Sequence, residues 1–322
     1  MHTPEPRTPF SVKQLWRYLL PVAGLATAWF AISHFANTAW PFERANTLLV
    51  VAAGVVVALS YLCRAIAWQR LFHSTERPCR GALLAASGAA SVSGTVLPGR
   101  LDWAVKFVVL RRLRRTPVKV DTIALSLGSL ALLDAVAICP LAVATLIACT
   151  STPLRAASAI VVAGGAAAAL VFLASGRLLR QRRLQRWPRV AAKLEEAATR
   201  TTNHKDGILA AGALSLCWVC RVAGGLLLLA ALDVSYSPLV ALLFVVLSAA
   251  AVVINVIPIG PAVQMGAGTA VLTTLHVDAV KAAEFTLASN LLFVFAATAG
   301  SLVGFAWYAR HGAARRMRRL VT

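Results

Sequence analysis

Ser93-Gly94-Thr95-Val96-Leu97-Pro98-Gly99-Arg100-Leu101-Asp102-Trp103-Ala104-Val105-Lys106-Phe107-Val108-Val109-Leu110-Arg111-Arg112-Leu113-Arg114-Arg115 is the stretch on which the reading of the whole chain turns. A helix of small apolar residues stops at Pro98-Gly99, turns over Arg100 and Asp102, and resumes as a basic amphipathic stretch. Backbone left unpaired in hydrocarbon costs several kcal/mol per group, so a break of this kind belongs where protein or a water-filled cavity surrounds it. It also reads as an ordinary loop at a membrane surface, held on the cytoplasmic side by its arginines.

The surroundings make the membrane setting compelling. The 322 residues are 59% hydrophobic and only 14% charged, with a mean hydropathy of +0.73. A soluble domain carries about a quarter charged residues. The sequence therefore predicts an all-α, polytopic transmembrane helical bundle. The net charge of +20 would suggest nucleic acid in a soluble protein. Here the basic residues sit between apolar spans, where they set orientation and meet anionic head groups, and no nucleic-acid partner is expected.

Outward from the break, apolar spans are expected at 15–36, 47–72, 118–148, 156–175, 207–232, 239–256, 262–275 and 279–308. The segment 81–97 is too short to cross comfortably, at about 25 Å, and fits a re-entrant element. All Lys and Arg except Arg44, Arg155, Arg221 and Lys281 fall in the N-terminal tail through Arg17, in 64–80, in 98–120, in 176–206 or in 310–322. The positive-inside rule then gives eight crossings with both termini cytoplasmic, in the plasma membrane. The layout is a tail at 1–14, a multi-pass domain at 15–309 with cytoplasmic basic loops at 98–120 and 176–206, and a basic tail at 310–322. Arg64 and Arg70, ending the second span, are expected to snorkel toward the cytoplasm. A second break, Asn255-Val256-Ile257-Pro258-Ile259-Gly260-Pro261, followed by Gly266 and Gly268, suggests a weak inverted repeat.

Asp134 and Arg221 are the charges placed deepest. Charge at that depth calls for a partner or a cavity. They suit each other as a register-fixing ion pair. Alternatively, Arg221 receives an anionic head group, its planar fork matching phosphate oxygens, while Asp134 tunes it or carries a proton. Arg100, Asp102 and Lys106 would line the mouth of the same cavity, the last two sharing a helix face. Asn290 on the last span is expected to hydrogen-bond between helices. The six cysteines read as small buried residues, the Cys217/Cys220 pair included. No catalytic motif, metal-ligand set or cofactor signature is present, and no enzymatic activity, metal or cofactor is expected.

The run Val96-Leu97-Pro98-Gly99-Arg100-Leu101-Asp102 to Leu110-Arg111-Arg112, the span bearing Asp134 and the second break resemble the lysylphosphatidylglycerol synthase transmembrane, or flippase-like, family. The resemblance follows segment order over most of the chain. It implies movement of a lipid or lipid-linked head group between leaflets, without the soluble aminoacyl-transfer domain. Asp102-Trp103 stands where that family has Gly-Glu, Leu130-Ala131 where it has Glu-Arg, and Asn290 where an Arg is common. The expected function is binding and translocation of an anionic lipid or lipid-linked phosphate carrier. The departures favour an alternative, a non-catalytic scaffold for a membrane enzyme that modifies lipid or envelope. A third reading is a proton-coupled small-solute transporter using Asp134 and Glu284.

Overall fold

The computed structural model describes residues 42–43, 45–72, 76–96, 101–113, 120–178, 204–235, 237–254 and 268–321. Among them there are helices and connecting turns and no strands. In chain order the helices are α1 (Thr47–Arg70), α2 (Arg80–Val96), α3 (Leu101–Arg112), α4 (Val120–Ala137), α5 (Cys139–Ala148), α6 (Thr152–Leu178), α7 (His204–Ala231), α8 (Pro238–Ile254) and α9 (Ala279–Val321), with a short turn of helix at 268–274 before the last. The chain is thus an all-α polytopic bundle. Among the described residues five stretches are long and apolar enough to cross a bilayer: Thr47–Arg70, Val120–Ala148, Thr152–Val171, Lys205–Ala231 and Ala279–Arg310. Pro238–Ala249 is a shorter apolar helix. The expected span at 15–36, the breaks at Pro98, Gly99 and Arg100 and at Pro258, Gly260, Pro261 and Gly266, and Asn255 and Gln264 lie outside the described residues.

Two helix pairs carry the core. α1 and α7 lie antiparallel along their whole length. At one end Asn46 N–H donates to Ala231 O at 3.0 Å, and in the middle Gly224 leaves room for Val57. At the other end Arg70 meets Asp206 Oδ1 at 3.0 Å, and Arg77 binds the second oxygen of the same carboxylate. Asp206 stands in the first turn of α7, where an anion also suits the helix dipole. The second pair is α2 on α9. A Cβ on Gly88 would lie 2.4 Å from Ala297 O, and one on Gly304 would lie 2.5 Å from Ala85 N. The two backbones touch because small residues face each other, the means by which helices associate in lipid without a hydrophobic driving force. Ser301 Oγ donates across this seam to Ala85 O.

Several boundaries differ from the sequence reading. The expected span at 118–148 is two helices, since Pro140 in the first turn of α5 withholds an N–H and the chain turns at Ile138. Residues 204–206, assigned to the basic loop, begin α7. The tail at 310–322 continues α9 to Val321, as its alanines and arginines are good helix formers. The sequence around the C-terminal ends of two helices also explains a pair of unusual backbones. Asp233 and His276 take φ of 50° and 62°. Each is the left-handed residue of a Schellman closure, with Val234 N–H reaching Leu229 O and Val277 N–H reaching Leu272 O at 3.0 Å.

α3 turns both apolar and basic residues outward. Its outward face carries Trp103, Ala104, Val108, Arg111 and Arg112, whereas the Lys106 side chain is only 12% exposed. It folds against α2, and Asp102 Cβ lies 3.8 Å from where a Cβ on Gly94 would stand, fourteen residues into α2 from Arg80. Leu110 is fully buried, and the inward turn of Lys106 beside it calls for the Asp102 carboxylate as partner.

Gly88→Val should strip the chain of its stable fold, because the clash falls on backbone that cannot move aside. Gly128→Ala and Gly212→Ala, where an added Cβ meets nothing within 4 Å, should each gain about 0.5–1 kcal/mol. Thermal unfolding of the detergent-solubilised protein distinguishes the two outcomes.

Candidate functional site

The polar centre of the bundle lies where α1, α3, α4, α7 and α9 meet. Asp134 projects from α4, fourteen residues past Val120, about 21 Å along the helix. Its Oδ2 binds Arg64 Nη2 of α1 at 2.6 Å, and its Oδ1 accepts from Trp218 Nε1 of α7 at 3.0 Å. The two charged side chains are 21% and 14% exposed, so each depends on the other for neutralisation. Arg64 therefore does not reach outward. Six residues inside the end of α1, it turns toward an acid on another helix, because a pairing across the bundle removes two charges from hydrocarbon at once.

Arg221, the partner that sequence depth suggested for Asp134, forms no ion pair with it. The guanidinium carbon of Arg221 sits 4.9 Å from the Trp218 ring centroid and 5.8 Å from that of Phe293 on α9. Its Nε is buried and has no hydrogen-bond partner. Along α7 the residue is about 25 Å from the His204 end and about 15 Å from the Ala231 end. The arrangement is a relay: Arg64 neutralises Asp134, Asp134 fixes the Trp218 indole, and the indole face supports Arg221. Cation–π contact of this kind is worth about 2 kcal/mol when desolvated, but it leaves the buried Nε without an acceptor among the described residues.

Asp102 and Lys106 pair on α3 as the spacing anticipated, with Nζ 3.0 Å from Oδ2. They lie near enough to Arg64 and Asp134 for the four charges to act on one another. Of the residues expected to build the site, the described chain thus brings together Asp102, Lys106 and Asp134, joins Arg221 through Trp218, and adds Arg64, Trp218 and Phe293. Gly268 opens the short helix at 268–274. It lies away from the charges, packed so closely on Phe244 and Thr286 that a Cβ would meet them at 2.8 and 3.0 Å. Asn290 Nδ2 donates to Thr286 O within its own helix and not across helices. Glu284 is exposed on α9.

The cysteines are all free, and four of them, Cys63, Cys149, Cys217 and Cys220, are buried. Cys63 stands next to Arg64 on α1, and Cys217 and Cys220 are on α7. No group of three or more candidate ligands for a metal ion occurs among the described residues.

Asp134→Ala leaves Arg64 buried and unpaired, and should cost about 3–5 kcal/mol of stability. The double change Arg64→Met with Asp134→Leu should recover most of that loss, because both charges go together. Arg221→Gln should unfold close to the wild-type midpoint, since no carboxylate loses its partner. Unfolding curves of the four purified proteins in one detergent test the pairing; equal losses for Asp134→Ala and Arg221→Gln would show that Arg221 is the true partner.

No curated protein and no solved structure matches this chain. The family model described as the lysylphosphatidylglycerol synthase TM region matches residues 18–316, a range that contains every charge of the polar centre. The chain is a multi-pass membrane protein and belongs to the lysylphosphatidylglycerol synthase TM region family.

Proposed function

We propose that this protein binds an anionic lipid, or a lipid-linked phosphate carrier, at Arg221 and moves its head group between leaflets of the plasma membrane, with both of its own termini cytoplasmic and no chemical reaction catalysed. The observation that carries this reading is the asymmetry of the polar centre. Arg64 and Lys106 each have a carboxylate at hydrogen-bond distance, while Arg221 has aromatic rings and a buried, unpartnered Nε. A guanidinium held in this way far inside a helix is unstable relative to one that has met an anion. Phosphate oxygens match its fork in a bidentate, charge-assisted geometry.

The supporting residues fit a head group in transit. Asp134 keeps Trp218 in place without competing for Arg221. The α2–α3 pair brings Asp102 and Lys106 to the same region and turns Trp103 and Val108 outward, so acyl chains can lie against an apolar surface while the phosphate is held inside. Family membership supports a lipid-related role. Asp134, already engaged by Arg64 and Trp218, and Glu284, on an exposed face, have little to offer a proton-coupled route.

Lipids that co-purify with the wild type in mild detergent should be enriched in one anionic species, and Arg221→Gln should reduce that enrichment to the level of bulk lipid. In proteoliposomes the wild type should accelerate transbilayer movement of the enriched lipid and the variant should not. Unselective lipid in both proteins, with a membrane enzyme recovered stoichiometrically from cells, would replace this reading with the scaffold.

A further inference from the structure

Independently of the lipid reading, we infer that Cys63 and Cys220 are a redox-active thiol pair, which a lipid-soluble quinone oxidises to a disulfide that ties α1 to α7 beside the polar centre. The placement follows from the register of the two helices. They run antiparallel, with Asn46 level with Ala231, Val57 with Gly224 and Arg70 with Asp206. Six residues beyond Val57, Cys63 lies about 9 Å further along α1. The same step back from Gly224 on α7 ends at Trp218, between Cys217 and Cys220. A Cβ leans toward the N-terminus of its own helix. In an antiparallel pair the Cβ atoms of Cys63 and Cys220 therefore lean toward each other, whereas that of Cys217 leans away. Cys220 also stands one turn before Gly224, on the face of α7 that meets α1. The two thiols are close enough to act on one another.

A disulfide needs Cα atoms about 4.4–6.8 Å apart. The seam between α1 and α7 has that closeness, since a Cβ on Gly224 would lie 3.4 Å from Ala53 O and 3.8 Å from Val57 N. In the reaction two S–H bonds break and one S–S bond forms. The two protons and two electrons pass to the quinone, which leaves as the quinol. The burial of the pair, with Cys63 5% and Cys220 6% exposed, selects this class of oxidant. Both residues lie on helices long and apolar enough to cross a bilayer, where water is not at hand to carry off a proton. An acceptor that dissolves in hydrocarbon and takes hydrogen together with the electrons can act there, and a charged aqueous oxidant cannot. Cys63 is the chain neighbour of Arg64, and Cys220 of Arg221. The bond would thus fix the spacing of the helices at the level of both arginines, and by closing a long loop it would restrict the unfolded chain strongly.

The test uses the full chain in mild detergent with a short-chain ubiquinone as the probe, followed by denaturation, alkylation of the remaining thiols and peptide mass spectrometry. Of the six free thiols, two should be lost, and one peptide pair should carry the Cys63–Cys220 bond. The thermal unfolding midpoint should rise with quinone and fall back after dithiothreitol. Cys63→Ala and Cys220→Ala should each abolish both the bond and the shift, whereas Cys217→Ala should keep both. Cys220→Ser serves if the alanine variant fails to fold. Six intact thiols after quinone treatment would overturn the proposal, as would a bond that joins Cys217 to either of the other two. A Cys63–Cys220 bond that leaves the midpoint unchanged would overturn the tie between the helices. None of these readouts depends on lipid binding, so the pair and the lipid site stand or fall separately.

Discussion

The ion pair between Arg64 and Asp134 is the constraint from which the rest of the interior follows. Two unit charges buried to this degree inside the bundle are tolerable only together, and only if the remaining lone pairs are also met. Oδ2 takes the arginine and Oδ1 takes the Trp218 indole, so one carboxylate fixes three helices relative to one another. With Asp134 spent in this way, Arg221 loses the obvious protein partner, and its place against Trp218 and Phe293 becomes intelligible as the best contact left to a cation that has no acid. The unpartnered Nε of Arg221 is thus a consequence of the pairing and not a separate feature.

The polar centre needs rigid walls, and packing of small residues supplies them. α1 and α7 are tied at three levels, by Asn46 to Ala231, by Val57 in the space left at Gly224, and by Arg70 and Arg77 on Asp206. Trp68 Nε1 adds a hydrogen bond to Ser126 Oγ of α4 at 3.1 Å. On the other side α2 is pressed against α9 until backbone meets backbone at Gly88 and Gly304. In lipid, where burying an aliphatic side chain gains nothing over leaving it among acyl chains, contact of this closeness is a main source of association.

Much of this was legible in the sequence and some of it could not be. Composition alone announced the helical bundle, and the i,i+4 spacing of Asp102 and Lys106 predicted an ion pair that forms. Hydropathy places Asp134 and Arg221 deepest, but depth does not name neighbours. Arg64 was passed over because an arginine near the end of an apolar span ordinarily extends to the surface, and nothing local distinguishes it from Arg70, which does meet a charge at the helix end. The signal that separates them is mirrored in the partner helix: α4 carries Asp134 within an apolar run, and such an acid calls for a cation from whichever span lies beside it. Trp218 was invisible for a related reason, since a tryptophan in an apolar helix gives no hint that its N–H is committed.

The distribution of the site over the helices says where it can change. Arg64, Trp218 and Arg221 all stand on α1 and α7, the pair locked at three levels, so their relative positions are set by the most constrained unit in the molecule. Asp134, Phe293 and the Asp102–Lys106 pair come from α4, α9 and α3, each joined to that unit along fewer contacts. α3 in particular is short, follows in sequence on the Pro98-Gly99 stretch and turns Trp103 and Val108 outward. On the proposed lipid reading, a rearrangement that opened Arg221 to one leaflet or the other would find least resistance in α3 and its neighbours, with Arg64 and Arg221 held still on α1 and α7. A binding charge that stays fixed while the surrounding walls change is the arrangement an alternating-access cycle requires.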